Sequence, residues 1–449
     1  MAVNPKVRDL YETFPFPARN PATERPGSLP LTRSDILGKV NHHAFGGLRD
    51  FSKNFRALVA GGGTGDSAIF LAAQLRDSDA EIVCLDISEA SLAIARDRAR
   101  LRGLEERIHW IHGSLLDAPR LGLGTFDYIS CLGVLHHLAD PDAGLRALTE
   151  VLHDDGAMSL MVYGRYGRLD VYAMQDLMRL VNQDEPDLRA QVDNFKDSLR
   201  ALSPSHLVRR GRSPDLIESM VGDDANIVDT FLHAQDRAYT VPELYRFVEH
   251  AGLSIVNFTN FFQTLRLEYE PDIYLGEQEL KAKLSSRGPR ERQAIGELLH
   301  GHMYVHGLYA ARPGRGAASF LDPEMVPFFP TSAAAEAVQH LVAQGTADIK
   351  LSSRHPFRLT PSATALACVA RVDAVRTLAS IWDDVARMLG ISADEVAQAA
   401  APDLERLNAL NWVFLRHVTC PPPPMLAYAF RGDAAAVTGA GPTARSESG

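Results

Sequence analysis

Between residues 55 and 164 short apolar runs alternate with amphipathic helical stretches, and this alternation constrains the fold more than any other feature. The runs are RALVAG, EIVCLD, IHWIHG, FDYISCL and AMSLMVYG, separated by helical patterns such as SEASLAIARDRARLRG and DPDAGLRALTEVLHDDG. Apolar strands buried on both faces need helices to carry the chain back across the sheet. The pattern therefore predicts an α/β fold with a doubly wound, mostly parallel sheet. The second helical stretch opens on Asp and is read as ending just before Gly156, a stop signal for a helix. Two later strand-like runs, AGLSIVNFTNF and HMYVHGLYAAR, flank a long charged, helical connection.

The rest of the chain divides around this core. Residues 1–50 read as an arm and a helix, because five prolines between Pro15 and Pro30 interrupt any longer helix. The central domain spans 51–312, with a polar helical insertion at 164–240. A linker (PGRGAASF) leads to a smaller helical domain at 321–430, and the small, polar residues 431–449 read as a disordered tail. At 449 residues the chain is long enough for two or three domains. With 46% hydrophobic residues it can build a sizeable core. A net charge of −10 disfavours a broad grip on nucleic acid. Cys84, Cys131, Cys368 and Cys420 are widely spaced and read as buried thiols. No membrane span and no signal peptide is expected, so a cytoplasmic location is the reading.

The stretch ALVAGGGTGDSAIF places a glycine-rich turn where the first strand meets a helix. Such a turn aims backbone N–H groups at a ligand and lets it approach closely. A phosphate loop would need a Lys after the last glycine, where this chain has Asp66. A dinucleotide site would want GxGxxG, whereas Gly61, Gly63 and Gly65 are spaced GxGxG. Asp86 ends the next strand at the interval expected for any ligand with a ribose diol. A turn that binds nothing is the remaining alternative.

VAGGGTG (59–65), LDIS (85–88), HGSLLD (112–117), CLGVLHHLADP (131–141) and the closing pair of strands occur together in one order. In this the chain resembles the class I SAM-dependent methyltransferase family over residues 50–312. The resemblance implies a seven-stranded Rossmann-like sheet whose closing strand is inserted antiparallel. It implies S-adenosyl-L-methionine as cofactor. Gly61, Gly62, Gly63 and Gly65 would form the turn under its methionine part, and Asp86 would take the ribose hydroxyls. Ile87, Ser114 and Leu115 would meet the adenine, and Leu132 and Gly133 would lie near the sulfonium. The family's acidic residue before the first glycine is replaced here by Val59, so Asp66 or backbone carbonyls are the candidate partners of the methionine ammonium. The arm sequence LYETFPFP resembles one found before the catalytic domain of some bacterial methyltransferases. That likeness would fold Tyr11, Phe14 and Phe16 over the cofactor.

Methyl transfer needs alignment of donor and acceptor and, for a hydroxyl or ammonium acceptor, a base. His136 follows the fourth strand and is the candidate base, with a structural role, in packing or in capping the next helix, equally open. Tyr163 ends the fifth and is a candidate for lining the acceptor site. His137 reads as structural. Asp229, His233, Asp236, Arg237 and Tyr239 concentrate polar chemistry at the end of the insertion and suit either a substrate lid or a solvated junction. His300, His302 and His306 share strand parity, but without an interleaved carboxylate or thiol no metal site is expected. Residues 357–385 faintly resemble winged-helix domains that bind peptides. With eight basic against eleven acidic residues over 320–430, that domain suits protein binding or homodimerisation better than DNA. The expected activity is methyl transfer to a protein or peptide side chain or to a small metabolite. A non-catalytic, SAM-binding regulatory or interaction protein is the alternative.

Overall fold

The computed structural model describes residues 5–25, 29–210, 218, 220–259, 261, 264–276 and 278–423. The expected tail at 431–449 lies outside the described residues. The chain forms two compact units that are not consecutive in sequence. One comprises Met1–Ile36, Phe51–Phe261 and Pro289–Arg315; the other comprises Leu37–Asp50, Phe262–Gly288 and Gly316–Gly449.

The first unit is built on one sheet in the order β3-β2-β1-β4-β5-β8-β7. Its strands are β1 Arg56–Ala60, β2 Glu81–Asp86, β3 Ile108–His112, β4 Phe126–Leu132, β5 Leu152–Gly164, β6 Ala238–Tyr239, β7 Ser254–Thr259 and β8 Val305–Ala311. The first five are parallel, and β8 runs antiparallel between β5 and β7. The short β6 extends the end of β5, pairing Tyr163 with Ala238. Leu58, Val83, Ile129 and Leu160 are fully buried at the centre of their strands. This is what near-continuous apolar runs become when helices cover both faces. The crossover helices are capped from the sequence. Ser88 accepts the N–H of Ser91 ahead of Glu89–Leu101, and Asp140 accepts that of Ala143 ahead of Pro141–Glu150.

One boundary departs from expectation. The helix after β4 stops at Glu150, and β5 begins at Leu152 rather than after Gly156. Leu152 pairs with Phe126, and a register shift between Phe126 and Tyr128 absorbs the additional residues. Gly156 therefore sits inside the strand, where a Cβ would meet Leu152 and the Asp127 carbonyl at 2.8 and 3.0 Å.

The insertion supplies the helices Leu169–Val181, Leu188–Ala201 and Asp224–Phe231. Met174, Phe195 and Ile227 on these helices form a core with Leu10 and Phe14 of the N-terminal segment. The far end of that segment is anchored to the sheet. Buried Asp35 accepts hydrogen bonds from the Tyr128 hydroxyl (2.7 Å) and Ser130 (3.1 Å), and Tyr309 donates to the Ser34 carbonyl at 2.6 Å.

The second unit pairs β9 Met325–Phe328 with β12 Phe414–His417 and β10 Ala347–Lys350 with β11 Pro356–Leu359, both antiparallel. Its core gathers Leu341, Val385, Val396 and Leu407 from three helices, Ser332–Gln344, Leu378–Leu389 and Ala393–Ala409. The helix Leu37–Ala44 belongs here: His42 Nδ1 accepts the N–H of Leu415 at 3.1 Å. Among the described residues no helix is long and apolar enough to cross a membrane.

Candidate active site

At the C-terminal edge of the sheet the turn after β1 closes on the end of β2. Asp86 is 9% exposed, and its carboxylate accepts the N–H groups of Gly63 (2.7 Å) and Ser88 (2.9 Å). Burial pushes this carboxyl up, while the backbone donors of Ser88, Gly63 and Ile87 favour the charged form. Two glycines make the approach feasible. A Cβ on Gly62 would lie 2.2 Å from the Cys84 sulfur, and one on Gly63 would lie 2.5 Å from the Phe16 carbonyl oxygen. Gly63 also has a left-handed backbone (φ 50°), which a side chain disfavours.

The N-terminal segment lies directly on this turn. The Phe16 carbonyl accepts the Thr64 N–H at 3.3 Å, and the Thr64 hydroxyl donates to the Pro17 carbonyl at 2.8 Å. Glu12 takes the N–H groups of Glu89 and Ala90 at the start of the helix after β2, a favourable place for a carboxylate. Further along, Glu24 pairs with Arg98 (2.5 Å) and Arg102 (2.6 Å), both buried.

A buried polar cluster occupies the ends of β4 and β5. The His136 ring packs at a tilt of 34° on Tyr163 with centroids 3.8 Å apart, and the His137 ring stacks on His233 at 3.7 Å. Asp229, 4% exposed, accepts hydrogen bonds from Tyr11 (2.9 Å) and Tyr163 (3.1 Å). The Arg168 guanidinium lies 3.5 Å over the Tyr163 ring. It pairs with Asp236 at 2.7 Å and donates to the Tyr304 hydroxyl at 2.9 Å. Burial, reinforced by the neighbouring rings and Arg168, pushes His136 well down. Burial likewise lowers His137 to about 4 and His233 to about 3. All three are neutral imidazoles near pH 7. Neither ring nitrogen of His136 has a hydrogen-bond partner among the described residues.

The residues singled out from the sequence fall into three groups. Gly61, Gly62, Gly63, Gly65, Asp86 and Ile87 surround the turn between β1 and β2, with Tyr11 and Phe16 of the arm against them. Leu132, Gly133, His136 and Tyr163 gather at the ends of β4 and β5. Ser114 and Leu115 follow β3, both buried, with Ser114 capping the short helical turn Leu115–Arg120. Asp66 is a correction. Its carboxylate is held by Arg19 at 2.6 Å and Arg98 at 2.7 Å. Although burial opposes it, these guanidiniums hold the carboxyl below its usual range. A group already neutralised by two cations is a poor partner for a third. His137 Nδ1–H donates to the Gln235 carbonyl (3.0 Å), and Asp140, not a histidine, caps the helix that follows. Arg168 and Tyr304 were missed. Nothing local marks them, since their partners lie tens of residues away. Asp229 and His233 were visible only as part of a polar-rich stretch. Among the described residues no group of His, Cys, Asp or Glu has metal-binding geometry.

A family model described as a methyltransferase domain matches residues 58–158. An uncharacterised protein of Synechococcus sp. is 34% identical over 301 residues, which cover 66% of this chain and 69% of that protein. The ubiquinone/menaquinone biosynthesis C-methyltransferase UbiE of Cellvibrio japonicus is 29% identical over 186 residues, 40% of this chain and 69% of that protein. In fold, the chain is similar to the structure of PKMT2 from Rickettsia typhi in complex with AdoHcy. The TM-score is 0.55 at 13% identity, covering 90% of this chain and 77% of that one.

Two outcomes follow from the geometry. Gly63→Ala should push the Phe16 carbonyl off the turn, and trypsin should then cut at exposed Arg19 about tenfold faster. The histidines predict acid lability. His137 and His233 bind a proton more weakly in the folded chain than at the ordinary 6.5. Their contribution to stability is complete above that pH and is lost as pH falls from 6.5 toward about 4 and about 3. The thermal midpoint should decline across this window, and less steeply in a His233→Gln variant.

Proposed function

The chain belongs to the class I SAM-dependent methyltransferase family, and on that footing we propose that it methylates a nucleophilic side chain of a protein or peptide. The observation that carries the chemical part of this reading is His136: a fully buried, neutral imidazole, without a hydrogen-bond partner at either nitrogen among the described residues, packed on Tyr163 at the ends of β4 and β5. Such a group suits an acceptor atom that must lose a proton, an amine or a hydroxyl. The second unit, with its own core and no counterpart in the sheet, supports a macromolecular acceptor over a small metabolite.

The residues present fit S-adenosylmethionine. Asp86 spends part of its acceptor capacity on backbone N–H groups, and an ionised carboxylate has about four lone-pair sites, enough to serve a ribose diol as well. The turn from Gly61 to Gly65 would hold the methionine part, and Ile87 with Leu115 would flank the adenine. When bound, the cofactor supplies an electrophilic methyl group on a sulfonium. The chain's own residues do the rest. The arm, with Tyr11 and Phe16, excludes water from the site. Tyr163 lines the acceptor position, its ring held between His136 and the Arg168 guanidinium. The imidazole of His136 receives the acceptor's proton. Burial lowers that imidazole, but it lowers an incoming ammonium in the same way, so the gap between the two groups is not widened by burial.

The test is incubation of the protein with methyl-labelled SAM and fractionated cell extract. Label is expected in polypeptide fractions; label confined to small-molecule fractions would overturn the acceptor assignment. Asp86→Ala should weaken S-adenosylhomocysteine binding about 100-fold, from the loss of charge-assisted hydrogen bonds. His136→Gln should lower kcat by about 100-fold or more while leaving that affinity nearly unchanged.

A further inference from the structure

Asp229 has no role in the chemistry described so far, yet it is the carboxylate of the buried cluster that joins the N-terminal segment to the end of β5. It sits in the last turn of the insertion helix Asp224–Phe231. Its two oxygens are divided between two tyrosines from distant parts of the chain. Oδ1 accepts the Tyr11 hydroxyl at 2.9 Å and Oδ2 accepts the Tyr163 hydroxyl at 3.1 Å. Oδ1 also lies 3.8 Å from His137 Nε2, and His233 stacks on the same His137 ring. A carboxylate only accepts, so both phenols must donate and both hydroxyl rotors are fixed. Tyr163 then presents oxygen lone pairs, not its proton, to the rest of the site.

The other end of Tyr11 reaches toward the cofactor side. Its carbonyl accepts the Ser88 hydroxyl at 3.1 Å, and the Ser88 N–H donates to Asp86 at 2.9 Å. Hydrogen bonds, joined through the bodies of Ser88 and Tyr11, therefore link Asp86 to Asp229 and on to Tyr163, whose ring packs against His136. Resting on the functional reading above, we propose that Asp229 is a positioning residue that couples seating of the N-terminal arm on the cofactor site to orientation of Tyr163. If Tyr11 leaves, a carboxylate that is 4% exposed loses one of its two phenolic donors. Such a group is then left undersatisfied, and Tyr163 loses its fixed geometry. The arm is thus part of the acceptor site as well as its cover.

The test is a double-mutant cycle read first by binding, with no acceptor present. Calorimetry with S-adenosylhomocysteine on the full chain should show Tyr11→Phe and Asp229→Asn each weakening affinity about tenfold. Asn offers one acceptor oxygen in place of two, so one phenol can no longer donate to residue 229 and its hydroxyl proton is no longer fixed there. The double variant should bind no worse than the weaker single variant, because both remove the same link. Effects that multiply would overturn the proposal. In turnover with SAM and a labelled polypeptide fraction, Tyr11→Phe should mainly raise KM for SAM. Asp229→Asn should also lower kcat, about 100-fold, and Asp229→Glu should recover part of it. Unchanged kcat in Asp229→Asn would equally overturn it. If Asp229→Asn fails to fold, the cycle of Tyr11→Phe with Tyr163→Phe carries the same test, with the same non-additivity expected and multiplying effects again overturning it. A wild type that does not bind S-adenosylhomocysteine would remove the functional reading itself. Normal binding with a purely additive cycle would remove only the role of Asp229.

Discussion

A carboxylate at the buried end of a central strand must be surrounded by donors, and the first part of the site is built around that need. Asp86 finds its donors in the backbone, at Gly63 and Ser88. To bring the Gly63 N–H within reach, the turn after β1 has to pass against β2 so closely that Gly62 touches the Cys84 side chain. The same bare backbone offers the N-terminal arm a surface to dock on, through the Phe16 and Pro17 carbonyls. Asp66, one residue beyond the last glycine, then becomes an anchor for Arg19 and Arg98.

The second part of the site follows a different balance. Arg168 and Asp236 neutralise one another inside the cluster, and Asp229 is served by two phenols. The three imidazoles of His136, His137 and His233 are kept neutral by burial. A core of apolar side chains would be cheaper than this assembly. The polar groups are retained in this place all the same, and among the described residues the His136 ring is left without a hydrogen-bond partner. The insertion is what makes the balance work, since Arg168, Asp229 and Asp236 all come from it.

Much of this was legible along the chain. The strands β1 to β4 are where the apolar runs place them, because a strand buried on both faces writes its length directly into composition. Gly63 and Asp86 were legible for a similar reason: turn chemistry and the interval between successive strand ends are local quantities. His136 and Tyr163 followed from being the polar residues at the ends of β4 and β5. The start of β5 was hidden. Its first residues, LHDDG, read as the end of a helix, and only pairing of Leu152 with Phe126 draws them into the sheet. Arg168 and Tyr304 were hidden because each is defined by partners far along the chain. The helix Leu37–Ala44 reads as part of the arm, yet its contacts are with β12.

By itself, then, the sequence determined the alternation of strand and helix, the glycine turn, the carboxylate at the end of β2 and the polar residues awaiting use at the strand ends. These are properties of short windows, set by hydrophobic period, backbone freedom and capping. The tertiary structure alone decided who meets whom: that Asp66 is held by two arginines, and that Tyr11 and Tyr163 share the carboxylate of Asp229. Residues separated by 218 and 66 positions come together only through the return of the arm and the insertion onto the sheet edge. No local periodicity encodes that encounter, because it depends on the summed packing of the whole unit.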